Sequence, residues 1–183
     1  MAYGDEKIIA AKVANMEHAK LSIAKRVEIN DIIYEFETRN IDDKFSMTLP
    51  TNFDKLPPDL AEKRYQSPSK LKTILSNPDS TVSIFFNCSD KDTATPLLER
   101  ITQRKMAVKR MNQSYVFSSV RAGSQLAYFD FRSHTIGEDM YNLWFLVDLP
   151  NNTVFGGFSC PMKLQSQWQP LVLQMLQTIT ALT

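Results

Sequence analysis

The chain has 183 residues, 43% of them hydrophobic and 22% charged, which is the composition of a globular domain with a substantial core and not of a disordered or fibrous chain. Its 21 basic and 20 acidic residues leave a formal net charge of +1, so no global field draws it toward nucleic acid, an anionic membrane or an acidic substrate. No stretch approaches the length that spans a bilayer.

At the front, Met1-Ala2-Tyr3-Gly4-Asp5-Glu6-Lys7 carries acid and base with no apolar run behind it. It does not read as a secretory signal, and a cytoplasmic location is expected. From Glu6 to Arg26, Ile9, Val13, Met16, Ala19 and Ile23 fall at helical steps among Lys7, Lys12, Glu17, Lys20 and Lys25. This spacing predicts an N-terminal amphipathic helix over residues 1–28, ahead of a single domain over 29–183.

Ile29–Thr38 and Lys44–Leu49 read as two strands about a turn at Asn40-Ile41-Asp42-Asp43, followed by an extended connection through Pro50, Pro57 and Pro58. Asp42 and Asp43 are adjacent carboxylates, but in a turn solvation or capping accounts for them better than acid–base catalysis does. Asp59–Tyr65 predicts a short helix, followed by Ser67-Pro68 and a strand over Leu71–Leu75. Ser76-Asn77-Pro78-Asp79 is a strong turn signal that pairs this strand with another over Thr81–Cys88.

Thr93–Met111 predicts the second main helix, with Leu97, Leu98, Ile101 and Val108 facing inward. It carries Arg100, Arg104, Lys105, Lys109 and Arg110 against a single acid, Glu99. Cations in the last turn are favoured by unsatisfied carbonyls, which explains Lys109 and Arg110 without any ligand. The alternative is polyanion binding through helix 93–111, centred on Arg100 and Arg104, and its mark is binding that falls steeply with salt.

Ser114–Val120 and Gln125–Arg132 flank Ala122-Gly123-Ser124, and strands over Met140–Leu149 and Thr153–Cys160 flank Pro150-Asn151-Asn152. Four consecutive strands in an antiparallel meander are expected. Tyr141, Leu143, Phe145, Val147 and Leu149 share one parity and form an apolar face, while Met140, Asn142, Trp144, Leu146 and Asp148 form a mixed one. The period then changes. Trp168, Leu171, Val172, Met175, Leu176, Ile179 and Leu182 recur at helical steps and predict a closing helix, with Ser166 and Gln169 at capping-box spacing and Pro170 as the competing start signal.

Catalytic chemistry is poorly represented. Cys88 and Cys160 are the only cysteines and lack partners at ligand spacing, so no zinc or iron–sulfur site is expected and buried reduced thiols are. The histidines are His18 and His134. A small hydrolase can be drawn from His134 with Cys160 or Asp130, although no Gly-x-Ser-x-Gly elbow, phosphate-cradling glycine loop or His-Glu-x-x-His helix accompanies it. No cofactor is implied.

The order of elements is two strands, a short helix, two strands, a long helix, a four-strand meander and a closing helix. Together with Phe45-Ser46-Met47-Thr48-Leu49-Pro50, Tyr128-Phe129-Asp130-Phe131, Tyr141-Asn142-Leu143 and Phe158-Ser159-Cys160 before Trp168, it resembles the PsbP-like superfamily over about Ile29 to Leu182. That superfamily holds photosystem accessory proteins, a Ran-GTPase-binding import factor and the bacterial DcrB-like proteins. The resemblance implies an α+β fold, an α/β/α sandwich with a central antiparallel sheet, and action by binding another protein without catalysis. The expectation is a non-enzymatic cytoplasmic interaction or chaperone-like domain of bacterial type, a monomer or homodimer, with no nucleic-acid partner. Its expected contact surfaces are the N-terminal helix and the mixed sheet face around Tyr128, Asp130 and Trp144, with Arg100 and Arg104 as the basic candidate. If a helix covers that face, the three residues on it are core.

Overall fold

In a computed structural model of the chain, the described residues are 26–65, 73–135 and 137–182. The expected helix over Glu6–Arg26 therefore lies outside them, apart from Arg26, as do Ser67-Pro68 and the start of the strand expected from Leu71. Arg26 opens β1 (Arg26–Ile29), which pairs antiparallel with β2 (Ile32–Ile41), Ile29 opposite Ile32. The one long strand expected from Ile29 is thus broken by a two-residue turn. Asn30 and Asp31 hold φ at 51° and 63°, the left-handed pair that a hairpin of this length demands and that Asn and Asp tolerate.

The same device recurs. Asp42 and Asp43, with φ of 49° and 54°, bring β3 (Phe45–Pro50) back against β2 with Ile41 near Phe45. The adjacent carboxylates are turn residues, and Asp42 accepts a 2.7 Å hydrogen bond from Thr73 Oγ1. β12 (Thr180–Ala181) pairs with β3 and completes a four-stranded sheet in the order β1-β2-β3-β12.

The larger sheet has eight strands. Its order is β4 (Asp54–Lys55), β5 (Thr73–Ser76), β6 (Ser83–Asp90), β11 (Asn152–Pro161), β10 (Asp139–Asp148), β9 (Leu126–His134) and β7 (Val116–Phe117), with β8 (Arg121–Ala122) also on β9. β9, β10 and β11 form the expected meander. The strand expected over Ser114–Val120 contributes only β7, and β8 follows as a second short piece on β9. β5 and β6 pair as expected, around a turn that buried Asn77 holds by accepting from Val82 N at 2.9 Å and donating to Thr81 Oγ1 at 3.2 Å.

Helices α1 (Pro58–Arg64) and α2 (Leu97–Met111) cover one face of the large sheet, and α3 (Gln165–Gln177) shares the other face with the small sheet. The α/β/α arrangement holds, with the small sheet placed beside α3. Trp168 lies where these parts meet. It is fully buried, its ring centroid 5.0 Å from Tyr34 of β2, 5.9 Å from Phe53 and 5.5 Å from Phe158 of β11. The start of α3 differs from expectation: it begins at Gln165 without a side-chain cap, and Pro170 falls inside it. Its end differs too, because Ile179 and Leu182 lie beyond Gln177, with β12 between them.

Cys88 lies opposite Val154 in the β6–β11 register, six residues along β11 from Cys160. At about 3.4 Å per residue that is roughly 20 Å, beyond any disulfide. Burial, with a smaller contribution from Glu138, pushes the Cys160 thiol up to about 12. Almost no thiolate exists near neutrality. In a Cys88→Ser variant, Ellman's reagent at about pH 8 is expected to react with Cys160 on the order of a thousandfold more slowly than in the denatured chain. Rapid labelling of the native protein would show that this end of β11 opens.

Candidate functional site

Residues directly opposed in an antiparallel pair share a face, and the β9–β10 register sets Trp144 against Phe129 but Phe145 against Tyr128. Trp144 therefore points toward α2, while Tyr128 and Asp130 point toward α3. The mixed face expected to carry all three is split between two layers, and both are covered. Trp144 packs among Phe155, Phe131, Phe85 and Phe129, with ring centroids 5.4–6.2 Å away. Asp130 is buried, accepting from Gln169 Nε2 at 3.0 Å and Tyr141 Oη at 3.2 Å, with Arg121 Nη1 at 3.7 Å. Burial, then the Asp130 charge, raises the Tyr141 phenol far above its usual range. These groups brace α3 on the sheet.

His134 also finds a different partner from those expected. Its Nδ1 lies 2.7 Å from Asp139 Oδ1, directly across the β9–β10 pair. That bond, with a smaller contribution from Arg132, holds the Asp139 carboxyl below its usual range. Asp130 is four residues away along β9 and Cys160 two strands away, each roughly 12 Å distant by strand geometry. Cys160 is fully buried. His134, Asp130 and Cys160 do not assemble into a nucleophile–base pair, and the described residues contain no cluster of three or more His, Cys, Asp or Glu placed to hold a metal.

The basic helix behaves otherwise. Ile101 and Val108 of α2 are buried against Ala127, Phe129, Phe131 and Leu146, with Leu97 partly buried beside them. Leu98, expected to face inward, is 54% exposed, since it sits about 100° around the helix from Leu97. The other edge of α2 stands off the sheet and leaves a groove of about 390 Å³ over β6 and β11, lined by Asp90, Arg100, Gln103, Arg104, Thr153 and Phe155 among others.

The two arginines there have different roles. Arg100 is engaged through all three nitrogens: Nη2 reaches Asp148 Oδ2 at 2.5 Å, Nη1 Thr153 Oγ1 at 3.0 Å and Nε the Thr95 carbonyl at 3.1 Å. Thr153 in turn donates to Asp148 Oδ1 at 2.7 Å. This network pins α2 to the sheet. Arg104 places its guanidinium 3.9 Å above the Phe155 ring, and no carboxylate pairs with it among the described residues. Lys105 donates to the Ser118 carbonyl. On the far lip, Asp92 accepts from Ala94 N at 2.9 Å and Thr95 N at 3.2 Å, and hydrogen bonds from Thr95 and Ala94 hold its carboxyl below the usual range.

Of the five residues singled out in the sequence, the structure brings Arg100 and Arg104 together in one groove and keeps the other three elsewhere. Phe155, Asp148 and Thr153 were missed as site residues. The Arg100 contacts join positions 48 and 53 residues apart, and no local spacing encodes such pairs.

No family model matches the sequence, and no curated protein matches it. Among solved structures, the solution structure of cyanobacterial PsbP from Synechocystis sp. PCC 6803 is similar, with a TM-score of 0.56 at 10% identity over 90% of this chain and 100% of that one. A variant of the protein Mog1 is similar with a TM-score of 0.54, at 10% identity over 79% of this chain and 95% of that one. The chain has a PsbP-like α+β fold. At these identities the likeness is one of fold.

Proposed function

We propose that this chain is a non-enzymatic protein-interaction domain of the cytoplasm, and that its contact surface is the groove side of α2. The observation that carries this reading is Arg104, a cation stacked on Phe155 at the wall of a groove and left without a carboxylate among the described residues. An aromatic–arginine pair is the kind of anchor that protein interfaces concentrate. The placement of His134 supports the non-enzymatic part, since its partner is a surface carboxylate and not a nucleophile.

Affinity capture from the native cytoplasm with wild-type protein and with Arg104→Glu tests this. At least one protein is expected to be enriched by the wild type and lost with the variant, while the two melt within about 2 °C of each other, as befits an exposed substitution. An identical captured set for both proteins would remove the groove from consideration.

A further inference from the structure

We infer that the occupant of the α2 groove is an acidic segment of a partner protein, a single Asp or Glu beside an apolar side chain, with its carboxylate paired to Arg104. This rests on the reading above and names the chemistry of the partner. A guanidinium lying on an aromatic face keeps its in-plane N–H donors directed outward. Those donors match the two oxygens of a carboxylate, which accepts them as a pair of parallel charge-assisted hydrogen bonds.

Neighbouring charge does not supply that acceptor. Asp148 is committed to Arg100 and Thr153, and Asp92 to the turn before α2. Beside Arg104 the groove has an apolar stretch, Phe155 and Leu146 from the sheet and Ala107 from α2, which suits an aliphatic or aromatic side chain next to the acid. About 390 Å³ is near the small end of ligand clefts, roughly 300–1,000 Å³, and accommodates a few side chains of one short segment.

The far lip sets the number of acids. Asp92 lines the same groove as Arg104, and the hydrogen bonds it accepts from Thr95 and Ala94 keep it a carboxylate. Asp92 repels a second closely spaced negative charge, and such repulsion discriminates as effectively as attraction. A nucleic acid carries a charge at every nucleotide and also needs open aromatic faces for stacking. The face of Phe155 is already taken by Arg104. The groove therefore favours one acid in register over a polyanion.

The test is selection of a random displayed peptide library on the wild-type protein, with counter-selection on Arg104→Glu. The selected sequences are expected to share one acidic residue flanked by an apolar one. By fluorescence polarisation, the leading peptide should bind about tenfold or more weakly to Arg104→Glu, and should lose about as much when its own acid becomes the amide. Arg104→Lys should fall between, because it keeps the charge but not the fork. A consensus lacking an acid, or peptides that bind Arg104→Glu equally well, would overturn the acidic occupant while leaving the interaction domain standing if capture from cytoplasm still depends on Arg104. Failure to enrich any sequence on folded protein would also overturn it. Polyuridine binding more tightly than the acidic peptide, and weakening steeply with salt, would overturn it in favour of a polyanion.

Discussion

Trp168→Ala is expected to cost about 4 kcal/mol and to lower the thermal midpoint by roughly 10 °C. The side chain is fully buried and touches an aromatic ring from each part it joins: Tyr34 of the small sheet, Phe53 of the following loop and Phe158 of the large sheet. Truncation leaves a cavity that three separate elements would have to close, and rigid sheets collapse poorly. Trp168→Phe keeps a ring in place. It also removes the indole N–H, which has no hydrogen-bond partner among the described residues, so its cost is expected to be only about 1 kcal/mol. Urea titrations of both variants measure this. Equal losses would mean that ring contact is not what Trp168 contributes.

Gly156→Ala comes next in size, at about 3 kcal/mol. An added Cβ there would lie 2.3 Å from Phe145 Cζ and 2.6 Å from the Phe85 carbonyl oxygen. Phe145 can turn only within a packed core, and a strand carbonyl cannot move without its ladder, so the register between β6, β11 and β10 must give. Gly137 offers the contrast. Nothing lies within 4 Å of its added Cβ, but its φ of +101° disfavours a side chain, and alanine there is expected to cost only about 1 kcal/mol. Thermal melts of the two variants separate crowding from backbone strain. A Gly156→Ala protein as stable as wild type would show that the strands are not held at this close approach.

Elements with strong local period were legible in the sequence. The stripe Trp168, Leu171, Val172, Met175 and Leu176 is buried on one helix, and the alternation of Tyr141, Leu143, Phe145 and Val147 matches an inner face. Asn77 gave the turn between β5 and β6. The Asn30-Asp31 turn was equally local, but no glycine marks it and β-branched residues on both sides masked it. What period cannot supply is the pairing between distant segments. The division into two sheets depends on β12 meeting β3 and not on either sequence alone, and the separation of Trp144 from Tyr128 and Asp130 depends on register across a strand pair. Parity along one strand says which residues share a face, not which neighbour's face that is. The groove belongs to this second kind of information: Arg104 was legible as a cation on a helix, and Phe155 beneath it was not.

The closure of the small sheet has a consequence for how the chain acquires its structure. β1, β2 and β3 are joined by short turns and can form among themselves, but Ser46 bonds Thr180 across 134 positions, and the inner side of β3 is covered only by later elements, Phe45 packing on Phe86 of β6 and the rest of its cluster reaching α3. Synthesis proceeds from the N-terminus, so the first hairpins emerge with a bare apolar side long before its cover exists. Such non-local closure is slow by topology. The interval before it is the period in which this protein is most open to aggregation or to capture by a folding helper, and its length is set by the 134 positions between Ser46 and Thr180.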